Sequence, residues 1–223
     1  MSTVVAIDGP AGAGKSTVAR KLASTLGIAY INTGSLYRAL ALAAAQAGLD
    51  PRHDLPTDFL AAQLLEFRGD VLFLNGKAPG EALRSPECAA NASIIAKQPA
   101  VRKYLLTVQR DTAKTQWIVM EGRDIGTVIF PDAQIKFFVT ASLEARAKRR
   151  LAQQGEVAEG ATLDAVMADI RRRDEQDSRR ETAPLKPADD AVMVDTTELG
   201  IDEVVALLTE YCRKAGVLSD PGK

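Results

Sequence analysis

Eight residues, Gly9-Pro10-Ala11-Gly12-Ala13-Gly14-Lys15-Ser16, fit the pattern G-x-x-x-x-G-K-[S/T] and stand between an apolar run and a helical pattern. Thr3 to Ile7 is apolar and β-branched, as in a strand covered on both faces. Val18, Ala19, Leu22, Ala23 and Leu26 then recur with helical period until Gly27 stops the helix. Glycines let backbone amides turn inward around an anion, and the helix N-terminus adds partial positive charge. In that frame Gly9 through Thr17 form an ATP-binding loop, Lys15 contacts the β- and γ-phosphates, and Ser16 offers its hydroxyl to Mg2+. The loop alone does not choose between a kinase, a GTPase-like switch and a motor.

The rest of the chain narrows the fold. Runs of buried-strand type recur at Ile28 to Ile31, Trp117 to Met120, Ile135 to Val139 and Ala191 to Val194, between helical patterns at 34–47, 99–115, 142–153 and 200–214. This alternation predicts an α/β fold of the P-loop type, three-layer αβα, around a five-stranded parallel sheet with right-handed crossovers. Two stretches break the pattern. Residues 50–98 read as a helix over 57–67, a hairpin-like pair around Asn75-Gly76 and a helix opening at Ser85-Pro86. Residues 153–187 are polar and then strongly charged, with few large apolar side chains, which suits a mobile lid. The expected organisation is a single domain with its core at 1–49, 99–152 and 188–223, a monophosphate-binding insertion at about 50–98 and a lid at about 153–187.

Charge excludes one class of partner. The 28 Lys and Arg nearly cancel the 29 Asp and Glu, so the whole chain offers no basic field for nonspecific nucleic-acid binding. No segment approaches the length of apolar sequence that a membrane span needs. Cys88 and Cys212 lack metal-ligand spacing and read as thiols of a reducing cytoplasm. His53 is the only histidine and falls in a Pro-bounded turn. A phosphate monoester, with its second pKa near about 6, is already a nucleophilic anion and needs no general base, so chemistry by positioning and charge neutralisation suits such a chain.

An acceptor that carries a phosphate requires cations beyond the loop. Arg38 follows Thr33-Gly34-Ser35-Leu36-Tyr37, and Arg123-Asp124 follows a strand end, where the ligand crevice of a doubly wound sheet lies. Arg173, Asp177 and Arg180, spaced i, i+4, i+7, share one face of the expected lid helix. The plainer alternatives are a surface ion pair for Arg123 and Asp124, a solvated helix for the lid residues, and a nucleic-acid patch for Arg146, Lys148, Arg149 and Arg150.

These segments together resemble the bacterial-type cytidylate kinases of the nucleoside monophosphate kinase group. The resemblance runs through Ile7 to Thr17, Thr33 to Arg38, Ala90-Asn91-Ala92-Ser93 with Val101-Arg102, Glu121-Gly122-Arg123-Asp124-Ile125-Gly126-Thr127, Phe130-Pro131-Asp132-Ala133, and Arg173-Asp174 through Ala183-Pro184-Leu185. It implies transfer from ATP to CMP or dCMP, with Mg2+. It further implies that Ser93, Arg102 and Asp124 read the cytosine, and that Arg38, Arg123 and Arg180 bind the CMP phosphate near Thr33. Arg173 and Asp177 hold the ribose, while Lys15, Arg123, Arg173 and Arg180 carry the catalytic charge. Monomers are usual in that family. Two departures stand out: Asn32 where the family usually has Asp, and Lys77-Ala78-Pro79-Gly80 in the hairpin segment. Rival readings are a P-loop kinase for UMP or shikimate, and a nucleotide-dependent switch; the absence of an Asn-Lys-x-Asp guanine motif argues against the latter.

Overall fold

The computed structural model describes residues 4–114, 116–153, 157 and 160–217. Thr3, Thr115, residues 154–156 and 158–159 of the expected lid and residues 218–223 of the expected core lie outside the described residues. The chain runs β1 (Val4–Asp8), α1 (Lys15–Leu26), β2 (Ala29–Asn32), α2 (Thr33–Gln46), α3 (Thr57–Ala62), β3 (Leu65–Arg68), β4 (Val71–Leu74), α4 (Pro86–Ile95), α5 (Pro99–Thr112) and β5 (Ile118–Glu121). It continues through β6 (Ile135–Thr140), α6 (Leu143–Leu151), α7 (Leu163–Ser178), β7 (Val192–Asp195) and α8 (Ile201–Lys214).

Five strands form one parallel sheet in the order β2-β5-β1-β6-β7. The central strand is apolar on both sides because both are covered. Val5 and Ile7 pack into a core with Val18, Leu22, Val204 and Leu208 of α1 and α8, whereas Val4 and Ala6 face Ile118, Met120 and Ala113. Each large aliphatic residue buried here contributes about 1.5–3 kcal/mol, which is why a strand in this position tolerates no polar residue before its end. The chain leaves β1 toward β5 and β2 on one side, while β6 and β7 extend the sheet on the other. The reversal opens a crevice at the carboxyl end of β1, and the glycine loop starts there.

Gly9 is fixed by close approach. Its φ is 145°, and a Cβ placed on it stands 2.0 Å from the Val139 carbonyl oxygen of β6. Gly9→Ala is therefore expected to destabilise the chain by about 3 kcal/mol or more, since neither backbone can yield. Urea titration reads this directly; a loss below about 1 kcal/mol would mean that the contact relaxes easily.

The insertion departs from expectation in two details. The helix expected over 57–67 stops at Ala62, and Leu65–Arg68 is instead a strand paired with Val71–Leu74 across the tight turn at Gly69 and Asp70. Phe67 and Leu72 have strand partners to pack against, and that outweighs the helical spacing. Asn75 and Gly76, both at positive φ, make a second turn that closes only the isolated Leu74–Lys77 bridge. The Ser85-Pro86 signal reads correctly: Ser85 caps α4 by accepting from the Cys88 amide, and Pro86 is its first residue. Leu65, Leu72, Ala92, Ile95, Val101 and Leu105 join α2 residues in a second core.

The charged helix α7 is better anchored than its composition suggests. Val166 and Ile170 pack on Ala147 of α6 in a small core of their own. No described helix is long and apolar enough to cross a membrane. Both cysteines are free and buried.

Candidate active site

A cavity of about 1110 Å3 lies over the carboxyl ends of the central strands, between the glycine loop, the insertion and the lid helix. Ala11 through Thr17 line it; Gly9 and Pro10 do not. Those two shape the loop from below, Gly9 through its contact with β6 and Pro10 by its carbonyl, which accepts from Lys15 Nζ at 2.7 Å. Helix α1 begins behind Gly14 without a side-chain cap and without an acidic residue in its first turn. Its first amides are thus available to an anion. Burial, reinforced by the positive charge of Arg123, brings the Lys15 ammonium down to about 7, against the opposing pull of Glu121 and Asp8.

Opposite the loop stand the expected acceptor residues. Thr33, Arg38, Ser93, Arg102, Arg123, Asp124, Arg173, Asp177 and Arg180 all line the same cavity. Asp124 and Arg102, 7% and 8% exposed, form a buried ion pair, and Arg102 also donates to the Tyr37 hydroxyl at 3.3 Å. Burial pushes the Asp124 carboxyl above the usual carboxylate range even though Arg102 and Arg180 oppose it. Ser93 donates to the Ala89 carbonyl at 3.1 Å, and Thr33 to that of Glu121 at 2.8 Å. Arg38 reaches across to the Leu83 carbonyl at 3.1 Å.

Asp177 is the hub of the lid side. It accepts from Arg123 Nε at 2.8 Å and also pairs with Arg180. Burial would raise its pKa, but the guanidiniums of Arg123 and Arg180 outweigh that and hold the carboxyl below its ordinary value. The expected shared helical face needs one correction: α7 ends at Ser178, so Arg180 sits beyond the helix. It still reaches Asp177, three residues back, and the chain beyond it folds over the helix end, Leu185 N–H donating to the Asp177 carbonyl at 2.9 Å. Arg173 makes no ion pair among the described residues, and its buried Nε has no hydrogen-bond partner.

Several site residues were not picked out as such by sequence reasoning. The basic cluster of α6 divides: Lys148 is exposed and pairs with Glu144, while its arginines turn toward the glycine loop and the cavity. Arg146 is buried, donating to the Ala11 carbonyl at 3.1 Å and pairing with Asp174, whose other oxygen accepts from Ala11 N–H at 3.3 Å. Arg149 donates to Thr196 Oγ1 at 2.9 Å, and both Arg149 and Arg150 line the cavity. Their usable signal was position, since this helix follows directly on β6. Glu121 ends β5, is buried, and accepts from the Tyr30 hydroxyl. The departure at Asn32 finds its role here: Oδ1 caps α2 by accepting from Ser35 N–H, and Nδ2 donates to Tyr30 at 3.3 Å, a bond that an aspartate could not supply. Asp8, at the end of β1, accepts from the amides of Ile125 and Gly126, each at 2.8 Å.

A glycine loop over a parallel sheet, faced across one cavity by Arg38, Arg102, Arg123, Arg173 and Arg180, defines the class: a P-loop kinase acting on a phosphorylated small molecule. Among solved structures, an uncharacterized protein from Eubacterium ventriosum aligns with a TM-score of 0.55 at 14% identity, covering 95% of this chain and 98% of that one. Shikimate kinase from Bacteroides thetaiotaomicron aligns with a TM-score of 0.52, also at 14% identity and the same coverage. Likeness at that identity concerns the fold alone.

Sequence comparison reaches further. The family model described as cytidylate kinase matches residues 5–214, and the chain belongs to that family. A cytidylate kinase from Thermosipho melanesiensis is 46% identical over 210 residues, 94% of this chain and 96% of that protein. Those of Geobacter sulfurreducens and Pseudomonas aeruginosa are 43% and 45% identical, covering 95% and 96% of this chain and 93% and 96% of theirs.

Proposed function

We propose that the chain transfers the γ-phosphoryl group of ATP directly to the phosphate of CMP, and of dCMP, giving ADP and CDP or dCDP. The observation that carries the choice of acceptor is the buried Arg102–Asp124 pair, which lines the same cavity as Ser93 and the glycine loop. A carboxylate and a hydroxyl accept from the exocyclic amine of cytosine, while a guanidinium donates to the ring acceptors. Uracil offers a carbonyl in place of that amine and leaves the carboxylate unpaired. Arg38, Arg123 and Arg180 take the acceptor phosphate beside Thr33, and Arg173 and Asp177 hold the ribose. Lys15, with Arg123, Arg173 and Arg180, stabilises charge on the transferring group. Arg149, held by Thr196, which itself donates to the Ala13 carbonyl of the glycine loop, suits binding of ATP.

The donor set fits Mg2+, which prefers one or two protein oxygens together with substrate phosphates and water. Ser16 offers a hydroxyl and Glu121 a carboxylate in the cavity lining, and no group of three potential ligands gathers among the described residues. When bound, the ion neutralises charge on the ATP phosphates. Movement of the lid, about 153–187, and of the insertion, about 50–98, would exclude water so that ATP is not spent on hydrolysis. The chain works as a monomer in this reading, and the free thiols suit a cytoplasmic enzyme.

Turnover across CMP, UMP, AMP and GMP tests the reading, and a preference for AMP or GMP would defeat it. Within it, Asp124→Ala is expected to shrink the CMP-over-UMP preference in kcat/KM by about 10- to 100-fold. Equal loss for both monophosphates would remove Asp124 from base recognition.

A further inference from the structure

We infer that Asp8 is a specificity-positioning residue: by capping the turn that follows Asp124, it leaves the Asp124 carboxylate free to face the acceptor base. This inference rests on the base-reading role proposed above for Asp124. Residues Ile125–Ile129 form a π-helical turn, and Asp124 stands at its N-cap. An aspartate in that position ordinarily folds back to accept from the first exposed amides of its own helix. Here it makes no such bond. Its carboxylate instead turns toward Arg102 at the cavity wall.

The amides are satisfied from the end of the neighbouring strand β1. Asp8 Oδ1 accepts from Ile125 N–H and Oδ2 from Gly126 N–H, both at 2.8 Å, and the Asp8 side chain is buried. Both oxygens are thereby engaged with the turn. Asp8 cannot drift, because it is paired in the central strand and the next residue is Gly9, pressed against Val139. The turn is further held by Gly122 N–H donating to the Ile7 carbonyl at 2.9 Å. One rigid strand end thus carries the phosphate loop and also sets the backbone from which Asp124 projects. Without the Asp8 carboxylate, two buried amides lack an acceptor, and the nearest replacement is Asp124 itself.

The test is a double-mutant cycle on the full chain, reading kcat/KM for CMP and UMP together with ATP affinity. Asp8→Asn keeps the size of the side chain but presents an N–H to one of the two amides. It is expected to lower the CMP-over-UMP preference by about tenfold, while the loss of a negative charge near Lys15 lowers ATP affinity equally with either acceptor and so leaves that ratio untouched. In an Asp124→Ala background, Asp8→Asn is expected to change the preference no further. A purely structural role would instead weaken ATP, CMP and UMP alike and would add to Asp124→Ala, and that result would overturn the inference. If Asp124→Ala leaves the preference intact, it is the base-reading role that fails. Should the Asp8→Asn chain not fold, amide exchange in Asp124→Ala decides: the Ile125 and Gly126 amides stay slow if Asp8 is their acceptor, and fast exchange there would refute it.

Discussion

Alanine in place of Arg173 is expected to lower kcat by about a thousandfold while raising the melting temperature of the ligand-free chain by roughly 2 °C. The two effects have one cause. The Arg173 guanidinium is held down to about 10 by burial and by the charge of Arg123, with Asp177 only partly offsetting them. Its Nε has no partner among the described residues, and the carboxylate that acts on it, Asp177, is already engaged by Arg123 and Arg180. In the empty cavity such a cation is a liability, so removing it relieves the fold. With two polyanions bound the same cation becomes an asset, because a positive charge already fixed in a site of low dielectric needs no reorganisation when charge moves between phosphates. CMP together with a non-hydrolysable ATP analogue should stabilise the parent chain markedly and the variant much less. A variant that melts lower and keeps activity within about tenfold would place Arg173 outside the transferring group's surroundings.

The sheet was legible because burial on both faces leaves β1 one solution: an unbroken apolar run, ended by the polar Asp8 and the glycine loop. The same holds for β5, which ends at Glu121; in β6 the apolar run is interrupted by Lys136, whose buried side chain reaches Asp190. The insertion was less legible. Leu65 to Leu74 carries apolar residues at spacings that serve a helix or a hairpin, and only packing of Leu65 and Leu72 against α2 and α5 decides for the hairpin. The first-rank cations of the site could be placed from strand ends and helical spacing. Arg146 and Arg149 could not, since nothing local distinguishes a solvated basic helix from one folded back over the glycine loop. Asp8 escaped for another reason: its two partners lie 117 and 118 residues away along the chain.

ATP affinity is expected to fall by about twentyfold between pH 7.5 and 9 and to be accompanied near pH 8 by uptake of about one proton, with both effects absent in Lys15→Met. Lys15 is buried and its ammonium titrates at about 7 in the ligand-free chain, lowered by burial and then by Arg123. Triphosphate oxygens beside Nζ favour the charged form, so the pKa rises on binding and the enzyme must take up the proton it lacks. Above pH 7.5 the terminal phosphate is already ionised, and the change therefore belongs to the protein. The stability of the empty chain should move the opposite way. Between about 7 and the lysine's ordinary 10.5, the unfolded chain holds a proton that the folded chain has released, so stability from this group rises with pH across that window and is flat below it. Lys15→Met should melt higher than the parent at pH 7, lose that rise, and show kcat/KM lower by about a thousandfold. Calorimetry in two buffers of different ionisation enthalpy counts the proton. Affinity independent of pH, or release of a proton on binding, would mean that Lys15 is already charged in the empty site and that the glycine loop alone sets the affinity for ATP.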